Sequence, residues 1–153
     1  MATLKISDLS VGDWVEIDHE EYGWEPARLN VCGDIGVGAY FKDIDPDEEY
    51  DCTLCQLRPI PITPEILEKN GFTRGSSEFP IYEYTTLLGK ILRTTQVHLT
   101  TPQSINVFLH DTTIERGYYH REKTSVHILR DELYVHDIQH ALRLAGLDKE
   151  INL

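Results

Sequence analysis

Between Val11 and Ile62, apolar residues fall at alternate positions in short runs, and glycine or proline interrupts the runs. This spacing constrains the fold more than any other feature. A period of two suits a strand with one buried face and does not fit a helix. Val11, Val15 and Ile17 share one phase, with Trp14, Glu16 and Asp18 in the other. Ala27, Leu29 and Val31 mark a second strand at 27–32, and Val37, Ala39 and Phe41 a third at 37–41. Gly33, Gly36 and Gly38 punctuate them. Residues 45–49 read as an exposed acidic loop. Residues 52–62 read as an edge strand, since Pro59 and Pro61 cannot donate to a ladder. Several short strands in about 60 residues predict a small barrel or a curled antiparallel sheet. The run SVGDWVEI opens as many SH3-like barrels do.

Beyond residue 62 the pattern changes. Thr63-Pro64-Glu65 caps and starts a short helix, and Gly71 ends it. Runs rich in Thr, Val, Ile and Tyr predict strands at 81–86, 90–99, 105–110 and 125–130, with residues 111–124 as a polar, aromatic connection. A last helix is expected over 132–145, capped by Asp131 and ended by Gly146. Its stripe of Tyr134, Val135, Ile138, Ala141, Leu142 and Ala145 should pack on the preceding sheet. The expected class is α+β. An acidic, β-rich subdomain spans 1–62. A second subdomain spans 63–153, with the short linking helix, then an antiparallel sheet and a C-terminal helix.

The chain has 153 residues, enough to bury a core without metal or disulfide staples. Its formal charge of −12 argues against binding long nucleic acids, which requires Lys and Arg to neutralise phosphates. Residues 1–62 carry 14 acidic and 4 basic side chains; residues 63–153 carry 12 and 10. The acidity is therefore an N-terminal property. Asp45, Asp47, Glu48 and Glu49 are the expected contacts to a cationic protein partner. No run of about 18 apolar residues predicts a membrane span. The first ten residues lack the basic start and apolar run of a secretion signal, and Cys32, Cys52 and Cys55 make no disulfide framework. A cytoplasmic setting is expected. Cys52 and Cys55 have CxxC spacing, yet no second pair accompanies them to hold zinc, and Pro59 and Pro61 disfavour a redox helix.

His136-Asp137-Ile138-Gln139-His140 has the i, i+4 histidine spacing of a metalloprotease helix, with Asp in place of Glu. A metal-dependent hydrolase using His136 and His140 is the enzymatic alternative. Against it, Asp is one methylene shorter than Glu, Arg143 shares that face, and both histidines project opposite the apolar stripe, toward solvent. No nucleophile elbow, phosphate loop or dinucleotide fingerprint is present, and no cofactor is implied. The densest anomaly is 115–123, where Arg116, Tyr118, Tyr119, His120, Arg121 and Lys123 crowd together. With Arg93 they form a candidate ligand-binding set: guanidinium groups for phosphate and tyrosines for stacking on a base. Their ligand would be a small nucleotide, held in a pocket compatible with a homo-oligomer.

The segments LSVGDWVEID, PIPITPEILEKNGF and LYVHDIQHALRLAG together resemble small uncharacterised proteins of gut Bacteroidota and of their phages and mobile elements. The resemblance implies a phage or prophage setting and a small accessory role, and brings no activity with it. In those relatives the position of His140 is commonly Asn, which tells against zinc. The expected function is a non-enzymatic binding protein acting in the host cytoplasm. It would interfere with host defence by sequestering a small nucleotide signal or by docking on a basic surface of a host protein. A structural or virion-associated interaction module is a further alternative.

Overall fold

A computed structural model describes residues 4–33, 36–44, 48–76, 80–88, 91–101, 104–115, 118–129, 132–147 and 149–153, without the side chains at 6, 88, 100–101, 113–115 and 118–122. The chain forms two compact units. One comprises residues through Pro61 with Tyr134–His136 and Leu153; the other comprises Ile62–Leu133 and Asp137–Asn152. Among the described residues, most of the structure is strand, arranged in two five-stranded antiparallel sheets.

The first sheet contains β1 (Trp14–His19), β2 (Gly23–Cys32), β3 (Val37–Phe41), β4 (Glu49–Cys52) and β5 (Leu57–Pro59), in the order β4-β3-β2-β1-β5. It is not a closed barrel: β4 and β5 are its two edges. The 3-10 turn Leu54–Gln56 carries the chain between them. The alternation read from the sequence holds through Val15 and Ile17, Ala27 and Leu29, and Val37, Ala39 and Phe41, all buried. Each large apolar side chain buried this way contributes roughly 1.5–3 kcal/mol. Two expected core residues fall outside. Val11 precedes β1 and is 56% exposed. Val31 is 50% exposed because a bulge between Leu29 and Val31 shifts the register with β3. The expected edge strand at 52–62 is shorter than read, because the 3-10 turn interrupts it; Pro59 still lies in an edge strand, opposite Val15.

The second unit starts with α1 (Pro64–Lys69). Thr63 accepts a hydrogen bond from Ile66 N at 3.4 Å, and Gly71 sits at φ +81°, as a left-handed terminator should. Its sheet is a meander of β6 (Thr73–Arg74), β7 (Ile81–Leu88), β8 (Ile91–Thr101), β9 (Ser104–Glu115) and β10 (Tyr118–Leu129). The stretch expected to be a connection, 111–124, is largely strand. Thr112, Thr113 and Ile114 extend β9, and β10 already starts at Tyr118, since β-branched and aromatic residues favour the pleated ladder. Tyr82, Val97, Ile105, Val107 and Leu109 are buried on one face of this sheet.

The last helix, α2, runs from Val135 to Leu144 and is shorter than expected; Tyr134 instead bridges Pro61. Ile138, Ala141, Leu142 and Ala145 are buried, as the stripe requires. The expectation that His136 and His140 stand in solvent is corrected. His136, Asp137 and Gln139 are buried, and His140 is half-buried. The chain after α2 folds back on its polar side. Gln139 donates to Lys149 O at 3.0 Å and accepts from Ile151 N at 2.6 Å. None of the described helices is long and apolar enough to cross a membrane.

Candidate functional site

In the first unit, β1 and β2 are joined by a tight turn carrying Glu20, Glu21 and Tyr22. His19 ends β1 on its buried phase, after Val15 and Ile17. Phe41 ends β3 and Tyr50 lies in β4, where it faces Ala39 in the ladder. These strand ends converge. The His19 ring lies 4.9 Å from Tyr22, 5.3 Å edge-on from Phe41 and 5.5 Å from Tyr50, and Phe41 lies 5.3 Å from Tyr50. The arrangement is fixed by the backbone: His19 Nδ1 accepts from Glu21 N at 3.1 Å and from Tyr22 N at 3.4 Å. In the neutral ring the proton is therefore on Nε2.

Phe41 is buried, His19 and Tyr50 are half-buried, and Tyr22 is 53% exposed. The cluster thus grades from core to surface. At 4.9–5.5 Å the rings touch one another, so a guest meets their outer faces instead of entering a cage between them. Carboxylates occupy the same turns. Glu20 and Glu21 share the turn with Tyr22, Asp43 follows Phe41 and Glu48 precedes β4, whereas Asp18, Glu49 and Asp51 are strand neighbours of His19 and Tyr50 and so point to the opposite sheet face; all are exposed. The nearest base in sequence, Lys42, is 3.6 Å from Asp43.

The same unit already holds one cation in this manner. The Arg58 guanidinium lies 4.4 Å over the Trp24 ring and donates through Nε to Glu16. Stacking on an aromatic face while bonding a carboxylate is how arginine is gripped where water is partly excluded.

The residues expected to contact a cationic partner divide as follows. Asp45 and Asp47 lie outside the described residues. Glu48 is exposed; Glu49 is exposed and accepts from Asn30 Nδ2 at 3.1 Å. The acids are legible in the sequence; the aromatic contacts are not, because their members are distant in the chain. The available signal was an aromatic or histidine at both boundaries of two acidic turns: His19 and Tyr22 in one, Phe41 and Tyr50 in the other.

Of the expected nucleotide-binding set, Arg116 and the side chains of Tyr118, Tyr119, His120 and Arg121 lie outside the described residues. Arg93 and Lys123 are not brought together. Arg93 faces Asp111 across β8 and β9, whereas Lys123 faces His110, and neighbouring residues of a strand point to opposite faces. Arg93 donates to both Asp111 oxygens, at 2.7 and 2.6 Å. These bonds hold the Asp111 carboxyl below its ordinary range and raise the Arg93 guanidinium. On the other face, Lys123 Nζ lies 4.6 Å over Phe108, and Phe108 packs 4.7 Å from His98, whose imidazole is lowered chiefly by burial.

Among the described residues, no three His, Cys, Asp or Glu side chains converge as metal ligands. His136 stacks on Tyr134 at 5.7 Å. The CxxC thiols differ in setting: Cys52 is buried with Sγ 3.7 Å from Val37 O, and exposed Cys55 contacts Thr53 Oγ1 at 3.0 Å. No family model, no curated protein and no solved structure matches the chain.

Proposed function

We propose that this protein is a non-enzymatic binding protein whose first unit docks on an arginine-bearing surface of a protein partner. One observation carries the reading: an exposed tyrosine, Tyr22, tops an aromatic cluster whose turns are lined by carboxylates. A guanidinium laid on Tyr22 or Tyr50 gains a cation–π contact of about 0.5–1 kcal/mol and a charge-assisted bond to a carboxylate of the turn, Glu20 or Glu21. Arg58 between Trp24 and Glu16 is the internal precedent. The strand order, with a 3-10 turn leading into a β5 that pairs with β1, supports an SH3-like arrangement left open between its edges. The excess of carboxylates speeds encounter with basic partners and repels long polyanions. In a phage or mobile-element setting, the partner would be a basic surface of a host defence protein.

Calorimetry with an arginine-rich peptide tests this. The wild type should bind, more weakly as salt rises, and Tyr22→Ala should lose about two- to fivefold in affinity. Equal binding by wild type, Tyr22→Ala and Tyr50→Ala would contradict it.

A further inference from the structure

The second unit contains a cleft of about 450 Å³ that plays no part in the cation-docking face. Tyr84, Thr86 and Arg93 form one wall, all on the same face of β7 and β8, with Thr86 opposite Arg93 in the ladder. The chain that follows α2 forms the other wall, through Lys149, Glu150 and Asn152. That segment is anchored by two side chains from elsewhere in the unit. Gln139 holds Lys149 and Ile151 by their backbones, while Asn70 donates to Asn152 O at 2.7 Å and accepts from Asn152 N at 2.8 Å.

Charge in the cleft is unevenly satisfied. Arg93 is bound to Asp111, and Glu150 accepts from Arg143 at 3.3 and 3.4 Å. Lys149 has no carboxylate partner among the described residues. Its ammonium rests 4.2 Å over the Tyr84 ring and 5.9 Å from Phe72. Burial lowers the Lys149 ammonium from its ordinary value, the mark of a cation that has given up water without gaining an anion. Arg93 spends Nε and Nη2 on Asp111, which leaves its outer nitrogen without a hydrogen bond among the described residues.

We propose that this cleft binds a small organic anion, with its carboxylate or phosphate on Lys149 and beside Arg93. The volume exceeds what a bare ion needs and lies within the range of small-molecule sites. Thr86 and the Asn152 amide offer further polar groups at the walls.

Inorganic phosphate, acetate and adenosine monophosphate are titrated separately into the full chain, with amide chemical shifts as the readout. At least one should give saturable shifts at Thr86, Gly146, Leu147 and Asn152. Lys149→Met should weaken that binding by about tenfold or more, as loss of a charge-assisted bond does. Lys149→Arg, which keeps the charge, should bind more tightly than Lys149→Met, and Lys69→Met on the exposed side of α1 should bind as the wild type does. Tighter binding of the nucleotide than of phosphate identifies a phosphorylated ligand, and tighter binding of acetate identifies a carboxylic acid. No saturable shift at these amides with any of the three, or unchanged affinity in Lys149→Met, overturns the proposal. Should Lys149→Met fail to fold, the location of the shifts in wild type and Lys149→Arg decides it.

Discussion

The rings of His19 and Tyr50 lie 5.5 Å apart, although β2 and β3 separate their strands in the sheet. A flat sheet spaces strands about 4.8 Å apart, so three steps would hold these rings far beyond contact. The sheet must curl, and the aromatic cluster closes its concave end. Function and stability therefore separate within one cluster. Phe41→Ala should cost about 3–5 kcal/mol in denaturant unfolding, because Phe41 is buried. Tyr22→Ala should cost under about 1 kcal/mol yet weaken the arginine-rich peptide. A Tyr22→Ala protein as unstable as Phe41→Ala would assign Tyr22 to the core.

The pair between Arg93 and Asp111 makes stability depend on acid. The folded carboxyl titrates below its unfolded value, so its contribution is present above about pH 4 and is lost as pH falls through the lower folded value. Thermal unfolding between pH 2 and 6 should show a shallower loss in Asp111→Asn than in wild type. Parallel curves would mean that the pair is not formed in solution.

Gln139 is buried and ties down the backbone that builds the cleft wall. Gln139→Met would keep the volume and orphan one carbonyl and one amide, at about 1–3 kcal/mol each. Hydrogen exchange at Ile151 should accelerate more than at Ile138, and the Lys149 site should weaken with it. Protection of Ile151 equal to that of wild type would show that another group replaces Gln139.

The three thiols should differ sharply in reactivity. Cys55 is exposed, whereas burial, with the neighbouring charges of Asp51 and Cys55, pushes the Cys52 thiol up to about 11. Cys32 is raised too, by burial and then by Asp13. Iodoacetamide on the folded protein at neutral pH should label Cys55 first and leave Cys52 intact, as peptide mass spectrometry would show. Rapid alkylation of Cys52 would mean that β4 opens readily.

Local chemistry was legible in the sequence. Pro64 and Gly71 delimit α1 and Gly146 follows α2, with φ of +81° and +78° at the two glycines. Alternation located β1, β2 and β3 because their core faces are apolar, although Trp14, read in the opposite phase of β1 with Glu16 and Asp18, is buried as well. Long-range features were not legible. The bulge that exposes Val31 depends on how β2 meets β3. The burial of His136 was missed because helix geometry shows which side a residue takes and not what later covers that side. The division of Arg93 from Lys123 depends on register, where one residue reverses the face. The aromatic cluster escaped for a similar reason: its members are up to 31 positions apart and meet only when the sheet curls.

The most direct test of cation recognition is an amide spectrum of the full chain recorded during titration with a short arginine-rich peptide. Saturable shifts should map to Glu20, Glu21, Tyr22, Tyr50 and Asp51 and should vanish in a combined Tyr22→Ala, Tyr50→Ala protein. Shifts confined to other surfaces, or the same shifts surviving in that variant, would contradict an arginine-docking face at this end of the sheet.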